Sequence, residues 1–249
     1  MTPTVRVEIL VFDGCPHAEA AFELARQVAE RLAPGATVKR MEIDTPEKAA
    51  DVGFLGSPSI RVNGVDVEGK RTSRGALCCR TYEAHGGVPP EWLLEAAVLR
   101  ALQPRGILFL CVANSARSQM AEGIARSLAS PGMKVWSAGS RPTRVRPEAI
   151  AVLKEIGIDI SHHRSKAVAE IPAAEVDTVI TLCGEEECPV FLGKARRLHW
   201  GLADPAAITG SESDRLDAFR KTRDELSRRL EAFLKSGEQQ ETDHEASSV

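Results

Sequence analysis

The chain has 249 residues, 43% of them hydrophobic and 27% charged, with a formal net charge of −3. That length suits two small domains, and the near balance of 32 basic and 35 acidic side chains offers no general attraction for nucleic acid or anionic lipid. The longest apolar runs, 106–113 and 176–182, fall far short of the roughly 18 residues of a membrane span. The opening MTPTVRVEIL lacks the basic, apolar and small-residue regions of a signal peptide, so a cytoplasmic protein that touches no membrane is expected.

Taken in chain order, a strand is predicted over 5–12. A helix follows over 16–32, with Ala21, Leu24, Ala25, Val28 and Leu32 on one stripe, and Pro34-Gly35 ends it. A second strand is predicted over 38–43 and a short helix over 45–50, opening on Thr45-Pro46. A third strand over 59–62 turns at Asn63-Gly64, a hairpin signal, into 65–67. A helix over 89–102 should turn Trp92, Leu93, Ala96 and Leu99 inward. The pattern then restarts: strand 107–111, helix 117–128, strand 133–137, helix 147–156, strand 176–182, short strand 196–200 and a long charged helix over 213–234. This alternation predicts an α/β protein with parallel sheets and helices on their faces. The boundary falls near 103–105, giving domains 1–103 and 104–235, and the polar stretch 236–249 is expected to be a disordered tail.

Six cysteines, at 15, 78, 79, 111, 183 and 188, are too few for a disulfide scaffold; in a reducing compartment they point to metal or redox chemistry. The strongest motif is Cys111-Val112-Ala113-Asn114-Ser115-Ala116-Arg117-Ser118, which follows an apolar strand and opens a helix. A loop at a helix N-terminus turns several backbone N–H groups toward one tetrahedral anion, and the same field stabilises a thiolate. Arg117 then offers a planar fork for two anion oxygens, and the Ser118 hydroxyl a donor for the sulfur. Cys111 is thereby expected to be a nucleophile aimed at the central atom of an oxyanion. The alternative is a buried cysteine at a strand end.

The segment GILFLCVANSARSQMAEGIAR resembles the low-molecular-weight protein tyrosine phosphatase fold, and more closely the thioredoxin-coupled arsenate reductases built on it; the likeness covers about 105–235. It implies that Asp204, in the pair Asp204-Pro205, is the general acid; alone it reads as a turn or cap residue. It also implies a role for Cys183 and Cys188 in TLCGEEECP. Cys111 attacks arsenate, Cys183 attacks Cys111 as arsenite leaves, and Cys188 attacks Cys183 and carries the disulfide outward. A thiol reductant is then required, external (thioredoxin, glutaredoxin or similar) or fused. The loop between the two cysteines is shorter than in those reductases. A metal site there, or inert thiols, are the other readings. Ala206 and Ala207 follow Asp-Pro where phosphatases of this fold carry aromatic residues. Some family members bind potassium near the loop. Asn114, Glu122 and Ser137 match three of those positions and Lys166 falls at the fourth, an Asp in the family, so no metal is expected.

Residues 4–100 resemble a thioredoxin-like domain in which Asp13-Gly14-Cys15-Pro16-His17-Ala18 takes the place of the two-cysteine motif, with Ala18 for the second cysteine. The likeness implies a cis Ser57–Pro58 bond. Cys78 or Cys79 would resolve a disulfide on Cys15, or the three thiols would hold arsenite or mercury; otherwise the domain is a scaffold. A tethered thiol domain would supply a reductant at about millimolar effective concentration. His162 and His163 read as a solvated loop near the anion site, and His199 and Trp200 as packing. Three functions follow: an arsenate reductase, a phosphatase acting on phosphate monoesters through Cys111 and Asp204, or an arsenite- or mercury-binding thiol protein.

Overall fold

The computed structural model describes residues 4–72, 75–82, 85–184 and 191–235; Cys188 and the tail 236–249 lie outside them. Two compact units divide the chain between Gln103 and Pro104.

The first unit runs β1 (Arg6–Val11), α1 (Ala18–Leu32), β2 (Thr37–Glu42), α2 (Pro46–Asp51), β3 (Ser59–Val62), β4 (Val65–Asp66) and α3 (Glu91–Leu102). Its sheet has the order β2-β1-β3-β4. Of the parallel sheet that the alternation implied, β1 and β2 are parallel, but β3 is antiparallel to β1; β4 is antiparallel to β3, as the Asn63-Gly64 hairpin signal requires. Asn63 and Gly64 adopt φ of 50° and 83°, and a two-residue turn of that kind joins antiparallel strands only. α1 buries Ala21, Ala25, Val28 and Leu32 as its spacing requires, together with Ala18 and Ala29, while Leu24 is only half-buried. Thr45 caps α2 by accepting from the Lys48 backbone N–H at 3.2 Å, and Pro46 takes the first helical position. Leu10, Ile43, Ala49 and Phe54 form one apolar cluster. The Ser57–Pro58 bond is cis. Trp92 is half-buried, not fully inward.

The second unit runs β5 (Gly106–Cys111), α4 (Arg117–Leu128), β6 (Lys134–Gly139), α5 (Pro147–Lys154), β7 (Thr178–Thr181), β8 (Arg196–His199) and α6 (Glu212–Leu234). Short 3-10 turns at Val168–Glu170, Ala173–Glu175 and Pro205–Ala207 were not legible as periodic segments. The sheet order is β6-β5-β7-β8, parallel throughout. All six residues of β5 are buried, as a central parallel strand covered on both faces must be. Leu108, Leu110, Ala138, Val176, Val179 and Phe191 make one core. α6 turns Phe219, Leu226, Leu230 and Phe233 inward at helical spacing and packs against α4 and α5. In open α/β sheets, ligands gather beyond the carboxyl ends of the strands. Cys111 ends β5 there, in register with Gly139 of β6, while Leu110 pairs with Thr181 of β7.

Candidate active site

The segment from Cys111 to Ala116 wraps a cavity of about 180 Å³, lined by Cys111, Val112, Ala113, Ser115, Ala116, Arg117, Arg141 and Asp204. None of these side chains is aromatic. The loop's curvature follows from where its carbonyls go. Val112 O accepts from Arg141 N at 3.0 Å, Ala113 O from Thr143 N at 3.1 Å and Ser115 O from Arg146 N at 2.9 Å. Asn114 O accepts from Ser165 Oγ at 2.6 Å and Gln119 Nε2 at 3.2 Å. With the carbonyls drawn outward, the planar peptides present their N–H edges to the interior, an anion-binding nest. The loop also opens α4, whose first residue, Arg117, lines the cavity, so the positive end of the helix adds to the field.

Asn114 holds this shape from the centre. Its φ is +46°, a left-handed conformation in which Asn is tolerated better than most residues. Its Nδ2 donates to Ser118 Oγ and to Ser137 Oγ, both at 2.8 Å, and its Oδ1 accepts from Lys166 N at 2.7 Å and Gln119 Nε2 at 3.0 Å. Gly139 leaves room for the turn: a Cβ there would stand 2.4 Å from Val112 O and 2.8 Å from Asn114 N.

Cys111 is 3% exposed and its Sγ lies 2.9 Å from Ser118 Oγ. Arg117 is buried beside it. Its Nη1 donates to Leu202 O at 2.9 Å and Leu182 O at 3.4 Å, and its Nη2 is 3.7 Å from Asp204 Oδ1. Asp204 lines the cavity with its side chain 35% exposed, and also caps the following turn by accepting from Ala206 N at 3.2 Å. The cap reading of this residue thus describes its hydrogen bonding, and its place on the cavity wall puts it within the site. Cys183 is fully buried directly after Leu182, whose N–H donates to Leu110 O at 2.8 Å; it follows the strand that neighbours the one ending in Cys111. The third cysteine of the expected relay, Cys188, is outside the described residues.

Two residues of the site, Arg141 and Gln119, were not singled out in the sequence. Arg141, exposed at the cavity mouth, belongs to a basic run with Arg144 and Arg146; its signal is arginine placed just past a strand end. Gln119 and His163 form a second layer: His163 Nδ1 lies 2.9 Å from Gln119 Oε1 and its Nε2 3.2 Å from Arg126 Nη1. The solvated reading of the histidine pair is corrected for His163, which is half-buried; burial, aided by the charges of Arg126, His162 and Lys166, lowers its pKa to about 4. Trp200 is fully buried, while His199 is exposed and bonded through Nδ1 to Thr181 Oγ1 at 2.9 Å. At the position matched to a potassium ligand, Lys166 Nζ lies 3.1 Å from Glu122 Oε2. A potassium ion does not fit there, because a second cation would repel the ammonium already on that carboxylate.

In the first unit, Cys15 is half-buried just before α1, and Cys78 and Cys79 are exposed. Cys79 bridges to Ser57, whose Oγ accepts from Phe12 N at 3.3 Å. Among the described residues no group of three or more His, Cys, Asp or Glu is placed to hold a metal ion, and these three thiols form no such group.

The family model for low molecular weight phosphotyrosine protein phosphatases matches residues 106–244. The chain belongs to that family. Within this phosphatase family, it is similar to the arsenate reductase of Bacillus subtilis, 41% identical over 133 residues that cover 53% of this chain and 96% of that protein. Arsenate reductase 1 of Staphylococcus epidermidis is 40% identical over 134 residues, 53% of this chain and 97% of that protein. A solved arsenate reductase in the phosphate binding state is 36% identical, covers 52% of this chain and 96% of its own, and superimposes with a TM-score of 0.44. The phosphatase family match leaves the first unit outside it.

Proposed function

We infer that the chain is an arsenate reductase that works through a thiol relay. The observation that carries this reading is the buried thiol of Cys183 beyond the strand adjacent to the one ending in Cys111. Ester hydrolysis has no use for a second thiol, whereas reducing As(V) to As(III) consumes two thiol electrons. The sequence similarity to arsenate reductases supports it over nearly the whole length of those proteins. The absence of aromatic side chains around the cavity suits a small inorganic oxyanion and not an aryl ester.

The Cys111 thiolate attacks the arsenic of arsenate, which the loop N–H groups and Arg117 hold. A S–As bond forms and an As–O bond breaks, with Asp204 giving the departing oxygen its proton so that water leaves. Cys183 then attacks Cys111 Sγ. The S–As electron pair goes to arsenic, arsenite departs, and Cys111 and Cys183 are joined as a disulfide. Cys188 attacks Cys183, freeing the Cys111 thiolate and leaving a Cys183–Cys188 disulfide for a thiol reductant to reduce. Thioredoxin, glutaredoxin or a similar dithiol serves that role, from outside or from the first unit of this chain. The β-α-β-α-β-β-α order supports a thioredoxin-like assignment for that unit, with Cys15 as its reactive thiol. The cycle requires reduced thiols, which suits the cytoplasm. Among the described residues no helix is long and apolar enough to cross a membrane.

The test is thiol-driven arsenate reduction measured beside aryl phosphate hydrolysis. Cys183→Ser and Cys188→Ser should each abolish arsenate turnover yet keep any weak phosphatase activity, and Cys111→Ser should abolish both. Undiminished arsenate turnover in either relay variant would refute the reading. A protein that only takes up arsenite stoichiometrically would show neither activity.

A further inference from the structure

Two cationic side chains line the cavity, and they stand at different depths. Arg117 is 4% exposed, on the first turn of α4, and is already engaged with Leu202 O, Leu182 O and Asp204. Arg141 is exposed, just past the end of β6. Its main chain is held against the loop on both sides of Pro142: Arg141 N donates to Val112 O at 3.0 Å and Thr143 N to Ala113 O at 3.1 Å. Both bonds survive any change of the Arg141 side chain, so the guanidinium is separable from the shape of the loop.

Other exposed arginines of this unit are spent on acids, as Arg164 is on Glu170 at 2.8 Å and Arg228 on Glu225 at 2.6 Å. Among the described residues the Arg141 guanidinium has no such partner, so its charge and its donors are uncommitted. The chain as a whole carries a net charge of −3 and does not draw in anions; a free cation at the cavity mouth does so locally.

The reaction fixes what that cation meets. In an in-line displacement the bond that breaks lies opposite the attacking atom. Cys111 is the buried wall of the cavity, so the fourth substituent of a bound tetrahedral anion points away from it, toward the mouth. In arsenate or inorganic phosphate that substituent is an oxygen able to accept a charged hydrogen bond. In a phosphate monoester it is the bridging oxygen, uncharged and carrying an organic group that competes for the same space. A site that donates to a substrate oxygen turns away an analogue lacking it far better than a merely shaped site does.

We propose that Arg141 is a specificity-determining residue, its guanidinium binding the outward oxygen of an inorganic oxyanion and so selecting arsenate over phosphate monoesters. The proposal rests on the reading of the Cys111 cavity as the oxyanion site.

The experiment compares the full-length parent with Arg141→Met, at constant ionic strength. Protection of Cys111 from iodoacetamide, followed on its own peptide by mass spectrometry, gives the Kd of two probes without any turnover. One is inorganic phosphate. The other is phenylphosphonate, whose fourth substituent is a ring carbon that accepts no hydrogen bond. Arg141→Met should weaken phosphate by about tenfold and phenylphosphonate by less than about twofold. KM for arsenate should rise by about tenfold with kcat within about threefold, and kcat/KM for an aryl phosphate should not fall. Unchanged phosphate protection in Arg141→Met would overturn the proposal. So would equal weakening of the two probes, which a general attraction for anions or a damaged loop would produce. Protection needs no reduction, so a protein that leaves arsenate unreduced but shows the predicted split between probes would refute the functional reading and leave this one standing.

Discussion

Arg117 shows how a single residue binds this site together before any substrate arrives. Its guanidinium reaches the carbonyls of Leu182 and Leu202, and so touches the segment that carries Cys183 and the one that carries Asp204. An arriving oxyanion meets a cation already fixed in place. His163 is the other informative residue. A guanidinium donates and never accepts, so Nε2 facing Arg126 must be the bare nitrogen and Nδ1 donates to Gln119. Protonation would set an N–H against Arg126. The folded-state value near 4 lies below the ordinary 6.5, so the unfolded chain takes up a proton first as pH falls. The stability held through neutral His163 is therefore whole above pH 6.5 and is lost between about 6.5 and 4. Thermal melts from pH 8 to 4 should show His163→Gln losing less stability across that window than the parent. Parallel curves would contradict the assignment.

At the scale of elements, the sheet of the second unit was legible because each part has a demanding local signature. β5 is apolar at every position, and the loop after it joins cysteine, arginine and serine at the start of a helix. Strand and helix ends lie within two residues of expectation, as at β6, where Lys134–Gly139 replaces 133–137. The layer behind the loop was less legible, because its members come from separate elements. Gln119 and Glu122 lie on α4, Ser137 on β6, and Ser165 and Lys166 on a connection with no periodicity. Only tertiary packing gathers them. Gly139 is the element-scale counterpart, since β6 must end in a residue without a side chain for the loop to pass. Gly139→Ala should destabilise the protein by roughly 1–3 kcal/mol and remove most of the arsenate turnover, read by denaturant titration and a thiol-coupled assay. An alanine variant with parent stability and turnover would show that the loop yields at no cost.

For the molecule as a whole, two separate cores explain why periodicity alone restarted near residue 105. The first unit was the harder to read. Its alternation suggested a parallel sheet and the Asn63-Gly64 signal a final hairpin; the hairpin is present, but β3 runs antiparallel to β1, a pairing that no local signal announces. Its thiols, Cys15, Cys78 and Cys79, carry no motif as complete as the one at Cys111, and the structure gathers them into no metal site. The chemistry assigned to the second unit is a relay in which electrons pass from thiol to thiol. Its most direct test is a disulfide map by mass spectrometry after a single turnover of arsenate without added reductant. The account predicts a 183–188 crosslink in the parent chain and a 111–183 crosslink in Cys188→Ser. Stoichiometric arsenite released with neither crosslink formed would contradict it.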